Sequence, residues 1–145
     1  MILKLRKNIK FFFFLFCALL FIFLDNSQLS LANSMDSYQN QTIVEELRLK
    51  VPIEYKEVWL ENEVKIWDPW LSIQNGYLGR KIFWNKQKEE ALILVTWENR
   101  TLWKSISMIE VNKIQEKFEE NVKTSLNLKE NPFELIYEGE LEKQG

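Results

Sequence analysis

The sequence predicts an α+β domain: a four-stranded antiparallel sheet with two helices on one face, in the chain order β-α-β-β-α-β. Three observations predict it. "TIVEELRLKV" alternates apolar and polar residues with the period of a half-buried strand. Two strand-like runs, Tyr77–Asn85 and Glu89–Trp97, are joined by only Asn85-Lys86-Gln87-Lys88, which makes them an antiparallel hairpin. Two stretches of helical period, Ile53 to Leu71 and Met108 to about Val122, separate that hairpin from the first strand and from a last one.

The first 32 residues stand apart from this pattern. Lys4, Arg6, Lys7 and Lys10 make a basic start, and Phe11 to Leu24 is an unbroken apolar run of 14 residues, seven of them Phe. Ser30 and Ala32 then place small residues at −3 and −1 of a cut after Ala32, the layout of a secretory signal peptide. An uncleaved membrane anchor is the competing expectation, but a spanning helix needs about 20 apolar residues. The expected mature chain is Asn33 to Gly145, 113 residues, with residues 33–41 a polar, flexible leader and 42–145 one domain. Cys17 leaves with the signal. So do 4 of the 19 basic residues and 1 of the 21 acidic ones, leaving 15 against 20 and a net charge of −5. That balance argues against nucleic acid as a partner. A membrane is a partner only if the signal stays uncleaved. An exported protein of the periplasm or thylakoid lumen, or a secreted one, is the expected setting.

In the first strand Ile43, Leu47, Leu49 and Val51 face one way and Glu46, Arg48 and Lys50 the other, with Glu45 the one mismatch. Pro52 stops the strand and opens a helix. Along that helix Ile53, Leu60, Val64, Trp67 and Leu71 form one apolar stripe, with Trp59, Ile66 and Trp70 beside it. Asp68-Pro69 is expected to break or kink its last turn, because proline disfavours the helical region for the residue before it. Asn75-Gly76 is a turn. "ALILVTW" is apolar on both faces, so this strand is central and covered on both sides. Asn99 caps a short helix, Arg100 to about Ser105, and Ser107 with Glu110 forms a capping-box pattern for the longer one. The last strand, "FELIYEGEL", is expected to turn Phe133, Leu135 and Tyr137 to one side and Glu134 and Glu138 to the other. The order is that of the split βαβ, or ferredoxin-like, arrangement.

The chain has no His, and its single Cys lies in the signal. Zinc or copper sites of the usual nitrogen and sulfur type, haem held by His or Cys, and triads with an imidazole base are therefore excluded. No cofactor is called for. Gly76 and Gly79 lack the rest of a phosphate loop. The many carboxylates read as solvated strand and helix faces, and neighbours such as Glu45 and Glu46 point apart. The aromatics remain, all six Trp lying in the mature domain. Their plain reading is packing, since each buries on the order of 200 Å². The sharper reading is a helix–sheet cleft lined by Trp67, Trp70, Trp84 and Trp103 that takes a small aromatic or apolar ligand. Asn85 and Arg80 would orient it, although Asn85 reads first as a turn residue and Arg80 as a solvated strand residue. Gly79, inside a strand pattern, marks close approach by another group, with Trp67 and Trp70 the candidates.

"EELRLKVP", "IEYKEVWLENEVKIWDPWLS", "QNGYLGRKIFW" and "LVTWENRTLWKSI" together resemble a secreted cyanobacterial branch of the antibiotic-biosynthesis-monooxygenase-like proteins. Gln74-Asn75-Gly76-Tyr77-Leu78-Gly79 is similar to a Gln-Pro-Gly-Phe-Leu-Gly segment common in that group, with Asn75 where proline is usual. Trp97-Glu98 through Trp103-Lys104 resembles its strand-to-helix junction. The resemblance spans Glu45 to Tyr137 and implies a dimeric α+β barrel, hence a homodimer. It carries over no catalytic residue: haem-degrading relatives use a histidine this chain lacks, and no motif matches the quinone-forming ones. Three functions stay open: a ligand-binding domain, a cofactor-independent monooxygenase on a phenolic substrate, and a structural or interaction dimer.

Overall fold

A computed structural model describes residues 40–142. The expected signal, most of the leader and the last three residues lie outside them. Strands β1 (Ile43–Lys50), β2 (Tyr77–Asn85), β3 (Glu90–Trp97) and β4 (Glu134–Glu142) form one antiparallel sheet in the order β2-β3-β1-β4. After β1 come a 3₁₀ turn (Ile53–Tyr55), helix α1 (Lys56–Asn62), a π turn (Glu63–Trp67) and helix α2 (Asp68–Leu71). After β3 come α3 (Arg100–Lys104) and α4 (Met108–Leu126). This is the α+β ferredoxin-like fold, with the hairpin β2-β3 and the pair β1-β4 meeting along β1·β3.

The registers sort the residues by face. Ile43 stands opposite Trp97, Glu45 opposite Val95, Leu47 opposite Ile93 and Leu49 opposite Ala91. Those residues share the side on which the helices lie, and Ala91, Ile93, Val95 and Trp97 are all buried there. The helices close the core with Trp59, Ile66 and Leu71, with Trp103, and with Phe118 and Val122 of α4. The opposite face carries Val44, Glu46 and Arg48 of β1, Leu92 and Leu94 of β3, and Phe83 of β2. No element covers it among the described residues, and Phe83 is 50% exposed. Among the described residues, the strand that is apolar on both faces thus has its first cover and lacks its second.

The long helical segment departs from expectation in two ways. Its buried face is Trp59, Asn62, Glu63, Ile66 and Leu71, while Ile53 and Val64 of the expected stripe are exposed. Asp68-Pro69 does not break the helix either. Pro69 sits in the first turn of α2, where its missing N–H is least costly, and the wide π turn precedes it. That turn adds a residue to the helical path, which rotates everything after it and spoils a stripe counted at constant period.

At the C-terminal half, Asn99 caps α3 as expected, its side chain accepting from Leu102 N at 2.9 Å. Ser107 precedes α4 without a side-chain cap bond, so the capping box does not form. Helix α4 runs on to Leu126 and ends at Asn127, which adopts the left-handed conformation. A bulge between Leu135 and Tyr137 splits the last strand's pattern: Leu135 pairs with Leu49, Tyr137 with Arg48, and the two face opposite ways.

Gly79 also overturns its expectation. A Cβ there would meet nothing within 4 Å, so no tryptophan crowds it. It lies at a bulge against Thr96 with φ +135°, a region L side chains rarely adopt. The cost of substitution is therefore backbone strain. Gly79→Ala and Gly79→Leu should each lower unfolding stability by about 1–3 kcal/mol, and by similar amounts, in urea titrations. A much larger loss for leucine would restore the crowding argument.

Candidate functional site

Glu45, the one acidic residue in the helix-facing row of β1, is where the polar chemistry of the interior gathers. Trp97 Nε1 donates to Glu45 Oε2 at 3.1 Å. Tyr77 stands edge-on to the Trp97 ring, 5.7 Å between centroids. Trp103 is buried on α3, and Lys104 Nζ lies 3.4 Å from the centroid of its ring. On β4, Glu140 is opposite Glu45 and pairs with Arg100 at 3.1 Å, with Glu138 one position along on the same face. Burial pushes the Glu45 carboxyl above its ordinary range, and nearby Glu138 adds to this. The Trp97 hydrogen bond, Lys104 and the Trp103 N–H pull it back without cancelling the effect.

A second polar group lies beside it under the π turn. Arg80, expected to be solvated, has a side chain only 6% exposed. Its Nη1 bonds Glu63 Oε2 at 2.8 Å, its Nη2 the Glu63 carbonyl at 2.8 Å, and its Nε Asp68 Oδ1 at 2.6 Å. The bulge at Gly79 explains the error, because it sets Arg80 opposite Val95 on the helix-facing side. Glu63 is buried as well, so the carboxylates are not all solvated faces. Burial raises the Glu63 pKa and Arg80 opposes the rise.

The four tryptophans singled out from sequence do not share one place. Trp67 and Trp70 touch edge-on, with centroids 5.7 Å apart, at the π turn and α2. Trp103 sits at the Glu45 corner. Trp84 lies opposite Ala91, toward the other end of the sheet, its Nε1 reaching Val51 O at 3.4 Å and Lys56 standing over its ring. Six positions along β3 separate Ala91 from Trp97, about 20 Å of strand. Asn85 is a turn residue, its Oδ1 accepting from Gln87 N and Lys88 N. Sequence reasoning missed Glu45 and Trp97. The signal for Glu45 was present as the break in the alternation of β1; Trp97 gave none beyond being a core-facing aromatic.

Trp59 Nε1 is buried without a hydrogen-bond partner among the described residues. Two shallow clefts lie away from the Glu45 corner. One of about 600 Å³ runs beside the hairpin end, against Arg48, Phe83, Trp84 and Lys86. The other, about 530 Å³, lies on the outer side of the helical segment against Glu57, Leu60 and Val64. Among the described residues no three metal-binding side chains converge.

Three solved structures are similar to this chain. A monooxygenase from the ActVA-Orf6 gene of Streptomyces coelicolor, solved with the ligand nanaomycin D, superposes with a TM-score of 0.52 at 11% identity, over 73% of this chain and 90% of that one. SnoaB, a cofactor-independent oxygenase from Streptomyces nogalater, gives 0.41 at 12% identity, over 72% and 95%. A dimeric ferredoxin-like protein from an uncultured marine organism gives 0.44 at 16% identity, over 72% and 96%. No family model matches the sequence, and no curated relative aligns with it. The class defined here is the ferredoxin-like α+β fold, which the Streptomyces coelicolor monooxygenase also has.

The raised pKa of Glu45 has a direction in stability. Below pH 4.5 its carboxyl is largely protonated in the folded and unfolded chain alike. As pH climbs above that value the unfolded chain ionises first, so folded stability falls until the raised folded value is passed. Glu63 acts in the same sense. Glu45→Gln should gain on the parent between pH 4.5 and neutrality, read as urea midpoints across that range. A constant offset between the two would deny Glu45 a raised pKa.

Proposed function

We propose that the domain binds a small aromatic or apolar ligand between helices and sheet, with Glu45 as its polar anchor. The observation that carries this is the carboxylate itself: an acidic side chain set in an apolar row, held by an indole N–H, and raised in pKa by burial. Packing alone would favour an apolar residue there, since burying a carboxylate is costly. Perturbed carboxyls of this kind gather at functional sites. Around it Tyr77 is the half-buried ring that offers flat apolar surface, with Trp97 and Trp103 buried behind it.

A phenolic ligand is the test. 1-Naphthol should quench the tryptophan fluorescence saturably, and Glu45→Gln should weaken binding roughly tenfold, since a hydrogen bond to a charged group is worth about 1.5–3 kcal/mol. Unchanged fluorescence at millimolar naphthol would remove the reading. The alternative is a cofactor-independent monooxygenase on a phenol. The likeness in fold to the Streptomyces coelicolor monooxygenase favours it, as does a carboxylate placed to accept a phenolic proton. Oxygen uptake with a quinol and no added cofactor separates it from plain binding.

The same reading includes export and a homodimer. The uncovered sheet face bears equal numbers of opposite charges: Arg48, Lys50 and Lys81 against Glu46, Glu90 and Glu134. Leu92, Leu94, Phe83, Val44 and Tyr137 make up its apolar part. A neutral, self-complementary face suits a second copy across a two-fold axis, even though the expected mature chain is acidic. This is also the simplest course for a non-catalytic structural dimer. Native mass spectrometry of the natural protein should give two chains, each beginning at or near Asn33. Leu94 faces the open side and Ile93 the helices. Leu94→Glu should therefore yield folded monomer, whereas Ile93→Glu should unfold the domain. A parent that stays monomeric at high concentration would reject the dimer.

A further inference from the structure

We propose that the corner formed by Trp103, Glu45 and Glu138 recognises an organic ammonium ion, and that Lys104 now stands in for it. The proposal rests on reading the Glu45 corner as a ligand site and names the chemistry of the ligand's head.

The ammonium of Lys104 is already seated on an indole face. Its Nζ is 3.4 Å from the Trp103 centroid, well inside the roughly 6 Å within which a cation is attracted to an aromatic ring. Glu45 and Glu138 lie diagonally across β1 and β4 on the same face as this indole. Arg100 is matched by Glu140. At the corner the Glu45 and Glu138 carboxyls then face the one ammonium of Lys104. Lys104 is the last residue of the short helix α3 and is itself exposed, so its long stem can swing outward without disturbing the core. An incoming alkylammonium would take its place over Trp103, with its apolar tail toward the half-buried Tyr77 ring. A neutral isostere would find the same apolar surface but no partner for the two carboxylates.

The probes are n-butylammonium chloride and n-butanol at matched ionic strength, followed through the indole N–H signals of the folded protein by nuclear magnetic resonance. Butylammonium should shift the Trp97 and Trp103 signals more strongly than butanol. Lys104→Ala removes the internal competitor and should tighten butylammonium binding about two- to fivefold, the scale of one exposed cation–π contact. Glu138→Gln, an exposed change with little risk to folding, should weaken it. Equal shifts with butanol and butylammonium, or no gain from Lys104→Ala, would overturn the ammonium site. If naphthol still quenches in that case, the aromatic site of the preceding section survives alone; if neither probe binds, both fall.

Discussion

The guanidinium of Arg80 is the contact on which the rest of this fold turns. It joins the second strand to the helical segment above it through three bonds, two to Glu63 and one to Asp68. One acceptor is the main-chain carbonyl of Glu63, at the start of the π turn, so the irregular stretch of helix is fastened where it begins. The turn in turn sets the rotation of everything after it, including the Trp67 and Trp70 pair and Leu71 in the core. Charges this deep are tolerated only because each meets a partner. Leaving Glu63 unpaired would be costly, on the order of 3–5 kcal/mol for a buried ion that loses its counter-charge. The glycine bulge at Gly79 is what delivers Arg80 to that side of the sheet, which ties an oddity of β2 to an oddity of the helix.

Much of this architecture was legible in the sequence, because it depends on local rules. The period-2 pattern of β1, the short link Asn85 to Lys88 and the cap at Asn99 name their elements without tertiary information. What escaped were the irregular residues. A bulge changes which face a side chain takes, and alternation offers no warning of it; Arg80 and Tyr137 were both misplaced for that reason. The π turn likewise defeated a count at 3.6 residues per turn and made Val64 look interior. At the candidate site the legible signal was negative: Glu45 was noted as the residue that spoiled the pattern, and it proved to be the one with unusual surroundings. The tryptophans gave the opposite lesson. Their abundance suggested a single lined cleft, yet Trp84 and Trp103 stand near opposite ends of the sheet. Composition cannot report such a separation.

The two faces of the sheet solve the same electrostatic problem differently. On the helix side the carboxylates within the core are individually held: Glu45 by the Trp97 indole N–H, Glu63 by Arg80. On the open side, charges of both signs alternate with apolar residues, and Glu46 pairs with Arg48 at 2.6 Å along its own strand. Glu46 is only 6% exposed although no helix among the described residues lies above it. Tyr137 contributes to this shelter: its ring folds back over Gly139, the residue opposite Glu46, leaving no room there for a Cβ. The open face is thus already partly desolvated before anything lands on it.

Both outer strands of the sheet carry an irregularity, β2 at Gly79 and β4 between Leu135 and Tyr137. A free strand edge is a template for further pairing, and the hazard grows when the edge is long, flat and apolar. β4 presents Leu135, Ile136 and Tyr137 to solvent and would be such a template if it were regular. The kink interrupts the row of N–H and C=O groups near the start of the strand, and Glu134, Glu138, Glu140 and Glu142 flank it with like charge. A kinked, acidic outer strand is therefore a poor template for edge-to-edge pairing, greasy though its side chains are.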